Sequence, residues 1–526
     1  MSHGYADFNV ISAVAELTKD KEKFFITFTL SEGPRYEFGE TDVRLNTTEE
    51  KLTKDEMVER VDIRKGATFD ASAIQNTMED LIDYMGSKGF AFLDVVPNID
   101  KDEVAKTVDV TFDINPGPRV YVNRINIEGN TRTRENVIRR EMRFAEGDAF
   151  STSKLRRSQE RINYLGYFKE VDVTRSETSD PDRVDINVDV EEQSTGEFNL
   201  GAGFSTYEGA LATADVRERN FLGKGQNVIL SFSVSSIRQD YNFSFTEPYF
   251  MGKELSTGID MFNRRTDFQS ESSFDQSNVG GAFRLGVPLG EYTRNHTRLG
   301  FQEIKIDNVA SSASQFVQQD EGKKASLYLS NTYSIDTRDS FLDPTKGHRI
   351  AVTTDYSGFG TAVEYVRGQL EASWHKPLNE DFTLSLAGRL GAIADLNGEL
   401  PVYEHFSAGF GTLRGFERSG IGPRDRVTED ALGGRYIASN NIELSFPLPG
   451  VTEMGIKGLL FVDGGIITEF EDDPNVVDSK LYRVSAGTGI YWRSPLGPLR
   501  FEFGVPVLRS EEDRVRIFNF SVGTRF

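Results

Sequence analysis

Residues 194–526 carry apolar side chains at every second position, and helical spacing is absent from this part of the chain. Phe198, Leu200 and Phe204 belong to one such segment, and Val228 and Phe232 belong to another. Alternation with a period of two predicts strands with one apolar face. About 16 such segments follow one another, an even number within the range of bacterial single-chain barrels. The sequence therefore predicts a large antiparallel sheet of about 16 strands.

A membrane location has to be judged from these strands, because the chain is polar on average. Its mean hydropathy is −0.42, and no stretch approaches the roughly 20 apolar residues that a spanning helix needs. Only helices and closed barrels satisfy every backbone group in lipid. If the chain crosses a membrane, we therefore expect a closed barrel, whose polar lumen-facing residues lower the mean hydropathy.

The last segment supports a membrane barrel over a soluble sheet. Phe518 and Phe520 alternate with polar residues, Gly523 follows, and the chain ends on Phe526. An aromatic carboxyl terminus is typical of the closing strand of outer-membrane barrels. Alternation also occurs in soluble β-sandwiches and propellers. The aromatic end, the absence of helical spacing over 333 residues and the Tyr and Phe at segment ends favour the membrane barrel.

The first 193 residues follow a different pattern, with short strands and amphipathic helices in a repeat of about 84 residues. Gly33-Pro34-Arg35-Tyr36 returns as Gly117-Pro118-Arg119-Val120-Tyr121, and internal periodicity indicates an array of similar units. Asp70 is placed to cap a helix, and Ser151 or Ser153 is placed to cap its counterpart. We predict α+β repeat units at 35–117 and 118–193, with a barrel at 194–526. Residues 1–34 are interpreted as the back half of a preceding unit, which suggests an array shortened at its front, with no export signal.

Composition argues against several classes of function. The net charge of −22 disfavours nucleic acid, which is bound through basic patches. The five histidines show no metal-ligand spacing, and no nucleophile elbow or zinc-protease motif is present. We therefore predict no enzyme activity, no cofactor and no metal site. An acidic segment around Glu471 and Asp472 is better explained as a solvated loop than as a cation site.

The longest interruption between strands, about 395–434, contains Leu413-Arg414-Gly415-Phe416. Its glycines do not have the spacing of a phosphate-binding loop, and no strand-to-helix turn follows. A long glycine-rich loop with a central arginine can fold into the lumen of a barrel, where carboxylates hold the guanidinium. Asp463 is the candidate partner of Arg414. The residues alone leave the alternative of a solvated loop charge open, and favour it slightly.

Several motifs together resemble one family. The matching segments are Leu413-Arg414-Gly415-Phe416, Ile421-Gly422-Pro423-Arg424-Asp425, Phe461-Val462-Asp463-Gly464-Gly465, Ser494-Pro495-Leu496-Gly497-Pro498-Leu499-Arg500 and Asp336-Thr337-Arg338-Asp339. With these the chain resembles the BamA family of outer-membrane β-barrel assembly factors, within the wider POTRA-plus-barrel group. The resemblance covers essentially the whole chain. It implies POTRA repeats followed by a 16-stranded barrel in which the long interruption is loop six.

The resemblance also implies a function and a location. The repeats would be the third (remnant, 1–34), fourth (35–117) and fifth (118–193) POTRA domains of a family that usually has five. They would lie in the periplasm and receive unfolded outer-membrane proteins, and the barrel would lie in the outer membrane, in contact with its lipid. Accessory lipoproteins of the assembly machinery would dock at the fifth POTRA domain.

Client barrels would insert at a seam between the first and last strands. Exposed strand edges can add an extended chain without reading its sequence in detail. Gly201 and Gly203 weaken the first barrel strand and Gly523 weakens the last, because glycine in a strand interior loses side-chain packing. Burial of the client's apolar band would drive insertion.

Two alternatives remain open at this point. A two-partner secretion pore shares POTRA domains and a similar loop, but commonly has two POTRA domains and an N-terminal plug helix. A TamA-like assembly factor, with three POTRA domains, is closer. The segment Ile421-Gly422-Pro423 favours the BamA family over both. A passive porin would have no use for the N-terminal array.

Overall fold

The computed structural model describes most of the chain: residues 4–7, 9–17, 24–46, 53–90, 93–116, 119–341, 343–379, 381–398, 400–450, 454–494 and 497–522. Gly523 and Phe526 of the predicted closing signal lie outside these residues. The chain divides into two compact units, Met1–Ser194 and Thr195–Phe526.

The first unit contains three small sheets, each within one of the segments that the sequence delimits. The first sheet is an antiparallel pair of β1 (Asn9–Leu17) and β2 (Phe24–Ser31). The second sheet belongs to a segment with the elements β3 (Glu37–Leu45), α1 (Lys54–Val58), α2 (Ala71–Ser87), β4 (Leu93–Asp102) and β5 (Thr107–Pro116). The third sheet belongs to a segment with the elements β6 (Tyr121–Glu128), α3 (Glu135–Arg139), α4 (Thr152–Tyr164), β7 (Phe168–Glu177) and β8 (Arg183–Glu192).

The second and third sheets have the same topology. In each, the last strand lies in the middle, parallel to the first strand and antiparallel to the other. Asp70 caps α2 by accepting from the Ser72 amide at 3.0 Å, and Ser151 caps α4 by accepting from Lys154 at 3.3 Å. Leu81 of α2 and Ile162 of α4 are fully buried against their sheets. The repeat that the sequence predicts is therefore a strand, helix, helix, strand, strand unit.

The second unit is a closed antiparallel barrel of 16 strands, which confirms the predicted fold class. Its strands are β9 (Gly196–Ser205), β10 (Gly209–Phe221), β11 (Gln226–Ser235), β12 (Arg238–Glu247), β13 (Ser256–Asp267), β14 (Asp275–Pro288), β15 (Thr293–Asp307), β16 (Gly322–Asp336), β17 (Gly347–Gly358), β18 (Tyr365–Pro377), β19 (Thr383–Asp395), β22 (Tyr436–Pro447), β23 (Ile456–Thr468), β25 (Arg483–Ser494), β26 (Gly497–Leu508) and β28 (Phe518–Val522).

Short elements lie in the connections of the barrel. The strands that complete the numbering are β20 (Gly415–Phe416), β21 (Arg424–Asp425), β24 (Val476–Val477) and β27 (Val515–Arg516), and the helices are α5 (Gln269–Ser272), α6 (Gln315–Gln319) and two 3-10 turns, Phe250–Gly252 and Val402–Glu404. Nearly all of these lie at one end of the barrel, which we call the loop end. The opposite end, where β16 joins β17 and β22 joins β23, is the turn end.

Alternation along each strand separates an outer apolar face from the lumen. On β9, Leu200 points outward and is 72% exposed, and on β23 Leu460 and Val462 are outward and exposed. On the same strand, the alternate residues Phe461 and Asp463 face the lumen and are buried. This apolar-out, polar-in alternation is that of a membrane barrel. In the part of the chain that the structure describes, no helix is long and apolar enough to span a membrane.

Candidate functional site

Loop six, residues 396–435 between β19 and β22, packs against the inside of the barrel wall. Leu413 and Phe416 at its tip are fully buried in an apolar cluster. The cluster also contains Tyr365 of β18, Ile437 of β22 and Ile467 of β23. These wall residues alternate with outward-facing ones, so the same strand pattern that faces lipid outside provides the surface on which the loop docks.

Arg414 lies at the centre of this docked tip. Its Nε and Nη2 donate to the two carboxylate oxygens of Asp463, both at 2.7 Å, and its backbone amide donates to Asp463 Oδ2 at 3.0 Å. Nη1 donates to Glu443 at 2.5 Å and to Glu502 at 3.2 Å. The guanidinium carbon also lies 3.6 Å from the centroid of the Phe461 ring. The structure thus brings together Arg414 and Asp463, which the sequence pairs as candidates.

The electrostatics of this contact explain its geometry. Asp463 is 0% exposed, and a buried carboxylate is costly unless it is paired and hydrogen-bonded. The bidentate fork of an arginine satisfies both of its oxygens. Glu443 and Glu502 are shared with Arg500, whose Nη2 lies 3.3 Å from Glu443 and whose Nε lies 3.6 Å from Glu502. Two arginines and three carboxylates therefore form one network across β22, β23 and β26.

Glycines allow the tip to approach the wall. Gly415 has φ +94°, a conformation that side chains rarely adopt, and a Cβ on Gly504 of β26 would lie 2.8 Å from the Gly415 nitrogen. Next to this contact, β20 pairs with β27, with Gly415 opposite Arg516 and Phe416 opposite Val515. Loop six is therefore attached by backbone hydrogen bonds to the segment that leads into β28.

A second predicted motif secures the base of loop six. Asp425 accepts hydrogen bonds from Ser314 Oγ at 2.6 Å and from the amides of Val427 and Thr428 at 2.9 and 3.0 Å. Burial by itself would raise the pKa of Asp425, but these hydrogen bonds outweigh it and hold the pKa below its usual value. Its neighbour Arg424 donates to the Ser419 carbonyl at 2.5 Å. This motif fixes loop six to the loop that contains α6.

In the part of the chain that the structure describes, the seam between the first and last strands has the shortest pairing of the barrel. Among the described residues, β28 pairs with β9 through Ser521 with Ser205 and Val522 with Phe204. By contrast, β9 pairs with β10 along its whole length, and Gly201 and Gly203 lie within that ladder opposite Thr213 and Leu211. The described part of β28 thus leaves the seam-facing edge of β9 unpaired from Gly196 to Gly203.

Aromatic rings cover the outer side of this seam. Phe520 lies 4.7 Å from Phe501 of β26 and 6.3 Å from Phe204 of β9, between ring centroids. Phe518 lies 4.9 Å from Phe503. The predicted closing-strand residues Phe518 and Phe520 therefore face outward, and Phe520 is the ring that spans the junction.

Sequence reasoning missed two carboxylates of the Arg414 network, Glu443 and Glu502. Both residues lie on the lumen face of strands in which every second side chain points inward. This alternation is the sequence signal that could have identified them as candidates. Within the described ranges, no group of three or more His, Cys, Asp or Glu side chains is arranged to hold a metal ion.

Together, the repeats, the 16-stranded barrel and the lumen-docked arginine loop define a POTRA-plus-barrel outer-membrane protein. The Omp85 superfamily domain model matches residues 220–526, and the POTRA model, described as a surface antigen variable number repeat, matches 41–117 and 120–193. The chain belongs to the Omp85 superfamily and, within it, to the BamA family of outer-membrane protein assembly factors. The resemblance noted from its motifs is confirmed, and the family and the barrel place the protein in the outer membrane.

Individual relatives support this membership. The chain is 30% identical to the outer membrane protein assembly factor BamA of Neisseria meningitidis, over all of this chain and 71% of that protein. It is 31% identical to BamA of Nitratidesulfovibrio vulgaris, over all of this chain and 66% of that protein. The crystal structure of Haemophilus ducreyi BamA lacking POTRA domains 1–3 is similar at a TM-score of 0.80 and 26% identity, covering 93% of this chain and all of that one. CdiB from Acinetobacter baumannii, at 13% identity, a TM-score of 0.51 and coverage of 94% of this chain and 90% of that one, shows a similar fold.

Proposed function

We propose that this protein folds and inserts outer-membrane β-barrel precursors at the seam between β9 and β28. The observation that carries the proposal is the contrast between the two sides of β9. One side is paired along its length, whereas the other is paired with the described part of β28 at two positions. An unpaired strand edge is a template for another strand.

The edge of β9 can provide affinity for a client strand and can accept client strands of different sequence. A client strand that adds to it forms main-chain hydrogen bonds, which do not depend on the client's sequence. Phe198 and Leu200 face outward beside this edge and are exposed, so the outer face of an added strand would continue the apolar surface. Burial of that face, at roughly 25 cal/mol per Å², supplies the driving force without a nucleotide.

The repeats offer a second set of edges. Among the described residues, the outer strands β4 and β7 of the second and third sheets have one edge that pairs with no other strand, and the outer edges of β3 and β6 are bridged only near their starts, at Glu37 and Tyr121. We propose that an unfolded precursor binds there by strand addition before it reaches the barrel. The proposal places the repeats in the periplasm and the loop end outside the cell, as is usual for barrels with short periplasmic turns. We further propose that accessory lipoproteins of the assembly complex dock on residues 118–193, the fifth POTRA domain.

The Arg414 network has a positioning role in this proposal. It holds the tip of loop six against β22, β23 and β26, and the tip is paired with β27 directly before β28. The last strand is thereby fixed from inside the lumen while the outer side of the seam remains weakly paired. The protein works by binding and positioning rather than by catalysis, in keeping with relatives that are named as assembly factors.

A locked seam tests the proposal. The chain contains no cysteine, so a Ser205→Cys/Ser521→Cys pair at paired positions across the seam would be the only thiols. We expect the oxidised pair to block folding of an unfolded barrel client into liposomes, and a reductant to restore it. The matched control is Ala202→Cys/Ala212→Cys, which joins β9 to β10 on the permanently paired side.

Client folding at the same rate with the seam locked would overturn the proposal. A large steady single-channel conductance with no effect on client folding would instead favour a two-partner secretion pore. If the locked protein failed only when the repeats were deleted as well, the barrel seam would not be the insertion site.

A further inference from the structure

The turn between β9 and β10, residues 206–208, lies at the loop end of the seam and is held by the last segment of the chain. The Thr206 amide donates to the Phe520 carbonyl at 2.9 Å, and the Thr206 hydroxyl accepts from the Phe520 amide at 3.3 Å. Arg516 of β27 donates to the Thr206 carbonyl at 2.8 Å. These contacts carry the closure of the seam one residue beyond Ser205.

Loop six holds the same turn through the next residue, Tyr207. The Tyr207 ring stacks on the Phe410 ring, with 4.8 Å between the centroids and 18° between the planes. The guanidinium carbon of Arg418 lies 5.4 Å from the Tyr207 centroid and 4.1 Å from that of Phe268. Arg418 also donates to the Asp267 carbonyl at 3.1 Å, so its position is fixed by contacts besides the one with Tyr207.

The two side chains of loop six in this contact lie at the base of the docked tip. The Phe410 amide donates to the Glu417 carbonyl at 3.1 Å and closes the tip into a loop. Gly409 permits this closure, because it has φ +150° and a Cβ there would lie 1.8 Å from the Glu417 carbonyl oxygen. Phe410 and Arg418 therefore flank the closed segment that contains Arg414, and their positions depend on its docking.

The strength of the contact is matched to the weakness of the seam. A stacked aromatic pair and a cation over an aromatic ring are each modest interactions. Strand ends open locally at small cost when few contacts hold them. Since the described part of β28 pairs with β9 at two positions, contacts of this size are sufficient to change how often the loop end of the seam opens.

We propose that Tyr207 is a positioning residue of the seam, which fixes the loop end of β9 to the docked loop six through Phe410 and Arg418. We call these three side chains the latch. Loop six then holds both sides of the seam, because its tip pairs with β27, directly before β28, and its base holds the turn after β9. The inference rests on the seam of the proposed function, but it concerns closure of the protein without a client.

Hydrogen exchange of the full chain in detergent micelles tests the latch. The amides of Thr206 and Phe520 donate across the seam, so their exchange reports opening at its loop end. We expect Tyr207→Ala and Phe410→Ala each to accelerate this exchange on the order of tenfold, as the loss of a stacked ring and its cation predicts. Exchange in β11 and β12 should not change.

Two control variants separate the latch from a general disturbance of the loop end. Tyr207→Phe keeps the ring and loses the hydroxyl, so it should exchange like the wild type. Phe359→Ala removes a different ring pair that follows β17, in which Phe359 lies 4.7 Å from Tyr356. It should leave exchange at Thr206 and Phe520 unchanged.

The combined variant tests whether the two rings act through one contact. Tyr207→Ala/Phe410→Ala should exchange no faster than Tyr207→Ala, because both substitutions remove the same stack. If Phe410→Ala fails to fold, Arg418→Gln takes its place, with faster exchange in the wild-type background and no further effect in Tyr207→Ala.

Wild-type exchange in Tyr207→Ala or in its folded loop-six counterpart would overturn the proposal. Fast exchange in Tyr207→Phe, or effects that multiply in the combined variant, would overturn it as well. The assay contains no client, so a locked seam that still folds clients would refute the proposed function and leave the exchange result in place.

Discussion

At the residue scale, one guanidinium determines where loop six lies. Arg414 contacts carboxylates from three strands of one stretch of the barrel wall, β22, β23 and β26. Asp463 could be nominated from the sequence because it ends an apolar stretch with a charge. Glu443 and Glu502 could not be placed with it, because strand pattern gives the face of a residue but not its height in the lumen relative to another strand.

Arg414→Lys keeps the charge but removes the planar fork on Asp463, so we expect loop six to dock less firmly while the barrel still folds. Arg414→Ala should cost about 3–5 kcal/mol in docking, as expected when a buried carboxylate loses its partner. Thermal unfolding in detergent and the rate of client assembly measure the two effects.

Arg298→Lys is the control for these substitutions. Arg298 also faces the lumen but is half exposed and lies 3.9 Å from Asp260, so its exchange should change neither measurement. A normal assembly rate in Arg414→Ala would refute the positioning role of the loop-six tip.

At the scale of elements, the repeats and the strands could be read from periodicity, whereas the short loop strands could not. The helix caps Asp70 and Ser151 follow local rules, and so do the alternating barrel strands. The pairing of β20 with β27 joins residues about 100 positions apart in segments too short to carry a pattern.

Gly504→Ala tests the approach of Gly415 to Gly504. Its Cβ would lie 2.8 Å from the Gly415 nitrogen, and neither backbone can yield without displacing a strand. We expect the tip of loop six to leave the wall, with a loss of roughly 1–3 kcal/mol as for overpacking and faster proteolysis of loop six. Gly368→Ala on β18, where a Cβ meets nothing within 4 Å, should behave like the wild type.

At the scale of the whole molecule, the two units have separate cores and should respond differently to acid. In the third sheet, Glu192 accepts from the amides of Thr133 at 2.6 Å and Arg132 at 2.9 Å and from Thr131 Oγ1 at 2.8 Å. Burial raises the pKa of Glu192, but these bonds outweigh it, and the net pKa is below the usual 4.5.

Because the folded-state pKa is lowered, the carboxylate stabilises this unit above the unfolded pKa of about 4.5 and ceases to do so as pH falls through the folded value. We expect the melting temperature of the isolated 118–193 segment to decrease as the pH drops below 4.5. Glu192→Gln should have a lower melting temperature at pH 7 and a flatter dependence on pH between 3 and 5. An equal acid dependence in both proteins would assign the effect to other carboxylates.

In the proposed insertion at β9, the place of the two closing pairs of the described residues would give strand addition a direction. Ser205 and Phe204 lie at the loop end of β9, so the edge left open by the described part of β28 is continuous from the turn end. A client strand that joined β9 in the proposed way would therefore begin at the turn end and extend one residue pair at a time toward the loop end. The existing closure would be displaced last, so the barrel would stay shut at its loop end until the new strand was almost fully paired.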